Sequence, residues 1–151
     1  MDDTVLIGCA IIFEGEGKSR KWLITKKKEE SDWELPRQKA RKKSESTAKA
    51  AIRLPGEQLG MSAKVLEEAG RAGGVTTING ETKPQRTLYY LMILKSDDGE
   101  VVGYKEHAWL SYASAVRKLS SKRDRKMIKA AREELRAWQK REEERKKKEK
   151  K

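Results

Sequence analysis

Five cations, Arg37, Lys39, Arg41, Lys42 and Lys43, fall within one short segment, and Lys26, Lys27 and Lys28 precede them. Guanidinium forks and ammonium groups at this density suit phosphate oxygens, which they can hold without cleaving. The alternative reading is a solvated face, the usual fate of mixed Lys, Arg and Glu runs. Other reactive side chains are few. Cys9 is the single cysteine and lies in an apolar run, so it reads as a small buried hydrophobe, with no internal disulfide and no cysteine metal cluster. His107, the only histidine, alternates with Glu106 on an extended stretch and reads as a half-buried polar residue. Tyr89 and Tyr90 are adjacent, so on a strand one must face each side of the sheet.

The chain has 151 residues, enough for one domain with a real core. Its net charge is +12, and the segment from Lys118 to Lys151 carries 16 Lys and Arg against 7 Asp and Glu. The excess therefore sits at the C-terminal end, where it could meet an RNA or DNA backbone by counterion release. No RNA-binding signature accompanies it, so sequence-specific readout is not supported. The acidic N-terminus and the absence of a long apolar stretch give no signal peptide and no membrane span. Together with the lone cysteine, this predicts a reducing, cytoplasmic setting.

The elements that would position these groups follow from pattern. Val5 to Phe13 is a continuous, β-branched apolar run and reads as a strand covered on both faces. Gly15 and Gly17 mark a hairpin loop before a second strand at Lys21 to Thr25. Ser44 to Leu54 is helical in pattern, with Ser46 as N-cap and Ala48, Ala51 and Ile52 as its stripe. Pro55 and Gly56 should stop or kink it near Arg53, at about 3 and 1 kcal/mol in a helix interior. Strands are predicted at Met61 to Glu68, Val75 to Ile78 and Thr87 to Lys95, with Asn79-Gly80 as a tight turn. Val101 to Leu110 is extended and Tyr112 to Leu119 a short helix. From Ser121 a long helix carries Met127, Ala131, Leu135 and Trp138 on one docking face. Beyond Trp138 no large apolar residue remains, so residues 139–151 should fray as a basic tail after a domain at residues 1–138.

Within this order, Leu35 to Met61 resembles a Nudix box, G-x5-E-x7-R-E-U-x-E-E-x-G-U, with U a bulky aliphatic residue. Glu45 falls on the first acid, Arg53 on the arginine, Glu57 on the first paired acid, Gly60 on the last glycine and Met61 on the final aliphatic. Four positions depart: Lys39 replaces the first glycine, Leu54 an acid, Pro55 an aliphatic and Gln58 the second paired acid. Trp33-Glu34-Leu35-Pro36 matches the W-x-L-P that precedes the box, and Thr87 to Leu91 and Glu106 to Leu110 match later landmarks.

The resemblance implies an α/β fold: an α/β/α sandwich with a mixed sheet and a long C-terminal helix. The nearest branch is that of the small dinucleoside tetraphosphatases, in which an aromatic residue near the Tyr89 strand stacks a base. Family members hydrolyse nucleoside diphosphate derivatives with magnesium held by several carboxylates. Carried over, Glu57 is the one retained helix acid, Glu106 matches an additional metal-binding or base position, and Glu45 and Arg53 brace the loop and helix. Losing one preorganised group costs about 10²- to 10³-fold in rate. The expected protein is thus a pseudoenzyme, a non-hydrolytic module for nucleotides, polyphosphates or nucleic acid. Its ligand residues would be Arg37, Lys39, Lys42, Lys43 and Tyr89. RNA or a ribonucleoprotein would be met through the basic loop and tail. The competing expectation is an active pyrophosphohydrolase on dinucleoside polyphosphates, with magnesium on a relocated site of Glu57, Glu106 and Glu45.

Overall fold

The computed structural model describes residues 4–41, 45–97 and 99–149. Three partners, two antiparallel and one parallel, organise the sheet around the first strand. β1 (Val5–Glu14) runs parallel to β5 (Glu81–Asp97), with Gly8 opposite Leu88 and Ile12 opposite Met92. Its outer end pairs antiparallel with β2 (Lys21–Lys26) only at Phe13 and Glu14. Its inner end instead pairs with the short β3 (Arg37–Lys39), with Ile7 opposite Lys39 and Cys9 opposite Arg37. The sheet order is β4-β5-β1-β2-β6, where β4 is Met61–Ile78 and β6 is Glu106–Leu110. It is a mixed sheet, as expected.

Both faces are covered, which is why β1 reads as unbroken apolar sequence. Cys9, Ile11 and Phe13 point to one side with Tyr89 and Leu91. They pack under α2 (Tyr112–Lys118) and α3 (Lys122–Glu149), through Ala115, Met127, Ala131 and Leu135. Ala10 and Ile12 point to the other with Tyr90 and Met92, against Ala51 and Leu54 of α1 (Thr47–Leu54). The result is an α/β/α sandwich with a long C-terminal helix.

Four local expectations change. First, the regular box helix ends at Leu54, beside Arg53 as expected, but the chain stays helical in a distorted form beyond it. Pro55 has no N–H to continue the α ladder, and Pro55–Leu59 forms a wider π turn, closed by the Gly60 N–H donating to the Pro55 carbonyl. Gly60 ends it in the left-handed region, φ 62°. Second, β4 is one strand where two were expected. Three bulges, at Ser62/Ala63, Val65/Glu67 and Glu68/Gly70, keep it in register with β5 through the glycine-rich middle. Third, residues 101–105 are not a strand: the Val102 and Gly103 N–H groups donate to the Gln58 carbonyl at 3.0 Å, tying this loop to the π turn. Fourth, α3 continues helically to Glu149 instead of fraying after Trp138, and Arg141 reaches Glu67 of β4 at 3.1 Å. Among the described residues, no helix is long and apolar enough to cross a membrane.

Candidate functional site

A cleft of about 460 Å³ opens where β1 leaves β2 and takes up β3. Its β3 wall presents Arg37, Gln38 and Lys39, with Lys27 beside them and Ile7 below. Its opposite wall is built by Arg41, Arg53, Glu57 and Gln58.

Box residues meet here in one charge network. Arg53 forks onto Glu45, with Nη2 to Oε1 at 2.6 Å and Nε to Oε2 at 3.0 Å. The same guanidinium donates to Glu57 Oε2 at 3.0 Å and to the Lys39 carbonyl at 3.2 Å. The Arg41 N–H donates to Glu45 Oε1 at 2.8 Å. Hydrogen bonds from Arg53 and from the Arg41 backbone hold the Glu45 carboxyl down at about 2. Those to Glu45, then to Glu57, raise Arg53. Through these contacts Glu45 and Arg53 tie the loop after β3 to the box helix.

Glu57 is paired with two arginines. Arg41 Nη2 approaches both its carboxylate oxygens, at 2.7 and 2.6 Å, and Arg53 adds its third contact. Gln58 donates its side-chain amide N–H to Oε1 of the Gln38 side chain. Leu54 does not face the cleft at all: it is fully buried in the core under α1, so an apolar residue there serves packing. Glu106 sits on β6 opposite Lys26, pairs with its ammonium at 3.8 Å, and does not line the cleft. Magnesium asks for several free carboxylate oxygens. The donor set here is one carboxylate paired with two guanidinium groups, one neutral amide engaged elsewhere, and one leucine. Among the described residues no three acidic, His or Cys side chains gather. The residues present do not fit the ion.

The expected ligand residues divide. Lys39 lines the cleft, and its side chain makes no ion pair among the described residues. Arg37 also lines it, but its guanidinium is committed to the buried carboxylate of Asp124, at 2.8 and 3.0 Å. Tyr89 is fully buried under α3, so its ring cannot stack a ligand in this conformation. Tyr90 is on the α1 side, bonded through its hydroxyl to Thr47 at 2.8 Å. Lys42 and Lys43 lie outside the described residues. His107 is exposed on β6, opposite Thr25, and plays no part in the cleft. Cys9 is fully buried, and burial pushes its thiol up, away from any nucleophilic role. Sequence reasoning missed Arg41 as the partner of Glu57. The two are 16 residues apart with a loop and a helix between them, so no periodicity links them.

The fold is that of the Nudix hydrolases. A C. elegans Ap4A hydrolase, solved as a binary complex, superposes with a TM-score of 0.71, covering 89% of this chain and 99% of that one at 16% identity. The NUDIX domain of Shewanella oneidensis NrtR, solved with ADP ribose, gives 0.66 over 89% and 90% at 16% identity. The E. coli dihydroneopterin triphosphate pyrophosphohydrolase gives 0.63 over 82% and 91% at 12% identity. No family model matches the sequence, and no curated protein is significantly similar to it. The likeness is therefore one of fold, to neighbours that act on Ap4A or dihydroneopterin triphosphate or were solved with ADP ribose.

Proposed function

We propose that this chain is a Nudix-fold module that binds a nucleotide or polyphosphate in the β3 cleft without hydrolysing it. One observation carries the reading: both oxygens of Glu57, the one acid left on the box helix, are held by Arg41, with Arg53 completing the clamp. A guanidinium thus stands against the carboxylate where the family would use metal. The rest of the rim is cationic, through Lys27 and Lys39. Internal cations attract phosphate but supply neither a metal-activated water nor a free base, so binding remains and turnover goes. The structural neighbours that act on Ap4A or hold ADP ribose support a nucleoside polyphosphate as the ligand class.

The test pairs calorimetry with product analysis. ADP, ATP, ADP ribose and a dinucleoside tetraphosphate are titrated in EDTA and again in magnesium, and each mixture is chromatographed for products. Metal-independent binding with no turnover is the expected result. Magnesium-dependent cleavage that Glu57→Gln removes would establish the alternative, an active hydrolase with a rebuilt site.

A further inference from the structure

On the other side of the sheet lies a second cavity, of about 440 Å³, that shares no residue with the β3 cleft. Lys18 and Arg20 form one wall, from the turn between β1 and β2, and Arg132 and Arg136 of α3 form the other. No carboxylate lines it. Arg136 pairs with Glu133 at 3.1 Å on the exposed flank, and Lys18 makes no ion pair among the described residues. Four cations around one hollow, with no carboxylate in its lining, give it a positive potential that favours an anion.

An aromatic platform accompanies the charge. Tyr112, at the start of α2, lines the cavity, and the Arg132 guanidinium lies 4.2 Å from its ring centroid. Trp22 supports that ring from below, with centroids 6.2 Å apart. Because the guanidinium covers the tyrosine face, the plane left for a base is the outer face of Arg132, on which bases stack without regard to their identity. The cationic row also leaves the cavity. Arg132, Arg136 and Lys140 are spaced by four along α3 and share a face, with exposed Lys129 on the same side one turn earlier. A single phosphate would occupy the hollow alone, whereas a strand of phosphodiesters can follow the row.

We infer that the Tyr112–Arg132 cavity and the α3 cation row form a binding site for single-stranded nucleic acid, independent of the nucleotide cleft and without sequence preference. The experiment is fluorescence anisotropy of labelled oligouridylate and oligodeoxythymidylate against the full chain across a salt series. Arg132→Gln/Arg136→Gln should weaken both at least about tenfold at low salt. It should also lower the slope of log affinity against log salt by about 1.4, two phosphate contacts' worth on a single strand. Nucleotide binding in the cleft should stay as in the native chain, and excess ATP should fail to compete for the oligonucleotide. Lys18→Gln/Arg20→Gln, on the opposite wall, should act in the same direction, so a folding defect in one pair cannot mimic the result. A preference for one sugar would tell RNA from DNA while keeping the site. Native affinity and native salt slope in both double variants would overturn the inference. So would polyglutamate competing as well as the oligonucleotides, which would make the surface a dock for acidic protein.

Discussion

Arg37 and Asp124 stand 87 residues apart in sequence and meet at 2.8 Å, joining the start of β3 to the first turn of α3. Asp124 is only 1% exposed, and its Oδ2 also accepts the Leu35 N–H at 3.0 Å. A carboxylate so buried is tolerable because three donor contacts satisfy it. The pair holds the cleft's β3 wall to the helix on the far side of the sheet.

Asp124→Ala would leave the Arg37 guanidinium, with a side-chain exposure of 27%, only the longer contact to Glu34 at 3.6 Å as counter-charge. The expected loss is about 3 kcal/mol in urea unfolding. Arg37→Ala/Asp124→Ala should recover part of it, since no buried charge of the pair is then left over and the partly exposed Glu34 can be solvated. A single-variant loss too small to measure would show that the pair does not hold the wall.

Glu45 makes acid stability readable. Its folded carboxyl titrates at about 2, below the ordinary carboxylate range near 4.5, so its contribution is present above that range. It fades as pH falls from about 4.5 through about 2. Glu45→Gln should therefore unfold at a lower temperature at pH 6, and its deficit relative to the native chain should shrink as pH falls toward 2. A constant deficit across that window would mean the charge of Glu45 is not what Arg53 uses.

Gly8 lets α1 lie against β1. A Cβ there would meet the Thr47 carbonyl oxygen at 2.3 Å and the Ala51 nitrogen at 2.6 Å. Gly8→Ala should cost about 1–3 kcal/mol through overpacking. Adding Ala51→Gly should not restore the loss, because the closest atoms belong to the backbone. Rescue in that double variant would place the conflict in side chains instead.

Lys27→Ala/Lys39→Ala should weaken nucleotide binding about tenfold, more at low salt than at high, because screening thins such contacts. The native chain should show the same affinity with EDTA as with magnesium. Unchanged binding in the double variant would move the ligand out of the cleft.

Ending the chain after Arg141 should leave the thermal midpoint nearly unchanged, since the last buried residue of α3 is Leu135 and Trp138 packs on the core. Ending it before Met127 should unfold the domain by removing Met127, Ala131 and Leu135 together. A folded product of the shorter chain would contradict the docking face.

What the sequence makes legible is periodic. The unbroken run at Val5 to Phe13 foretells two covered faces, and the spacing of Met127, Ala131 and Leu135 foretells which side of α3 docks. What it conceals is pairing across distance. Nothing local marks Asp124 as the partner of Arg37, or Arg41 as that of Glu57. The glycines of β4 suggest a break because propensity is local, whereas β5 supplies a partner along the whole strand. Leu54 looks like a missing acid in the motif, yet its burial makes it a core residue.

The unbroken helix α3 gives its cationic end a mechanical character. Anchored through Leu135 and Trp138, it projects about 16 Å beyond Trp138 at 1.5 Å per residue. A loose tail would sweep a volume and meet partners at any angle. A cantilever of this kind holds Lys146, Lys147 and Lys148 at a set reach from the domain and fans them around the helix axis, about 100° apart, so partners on different sides meet them at one distance.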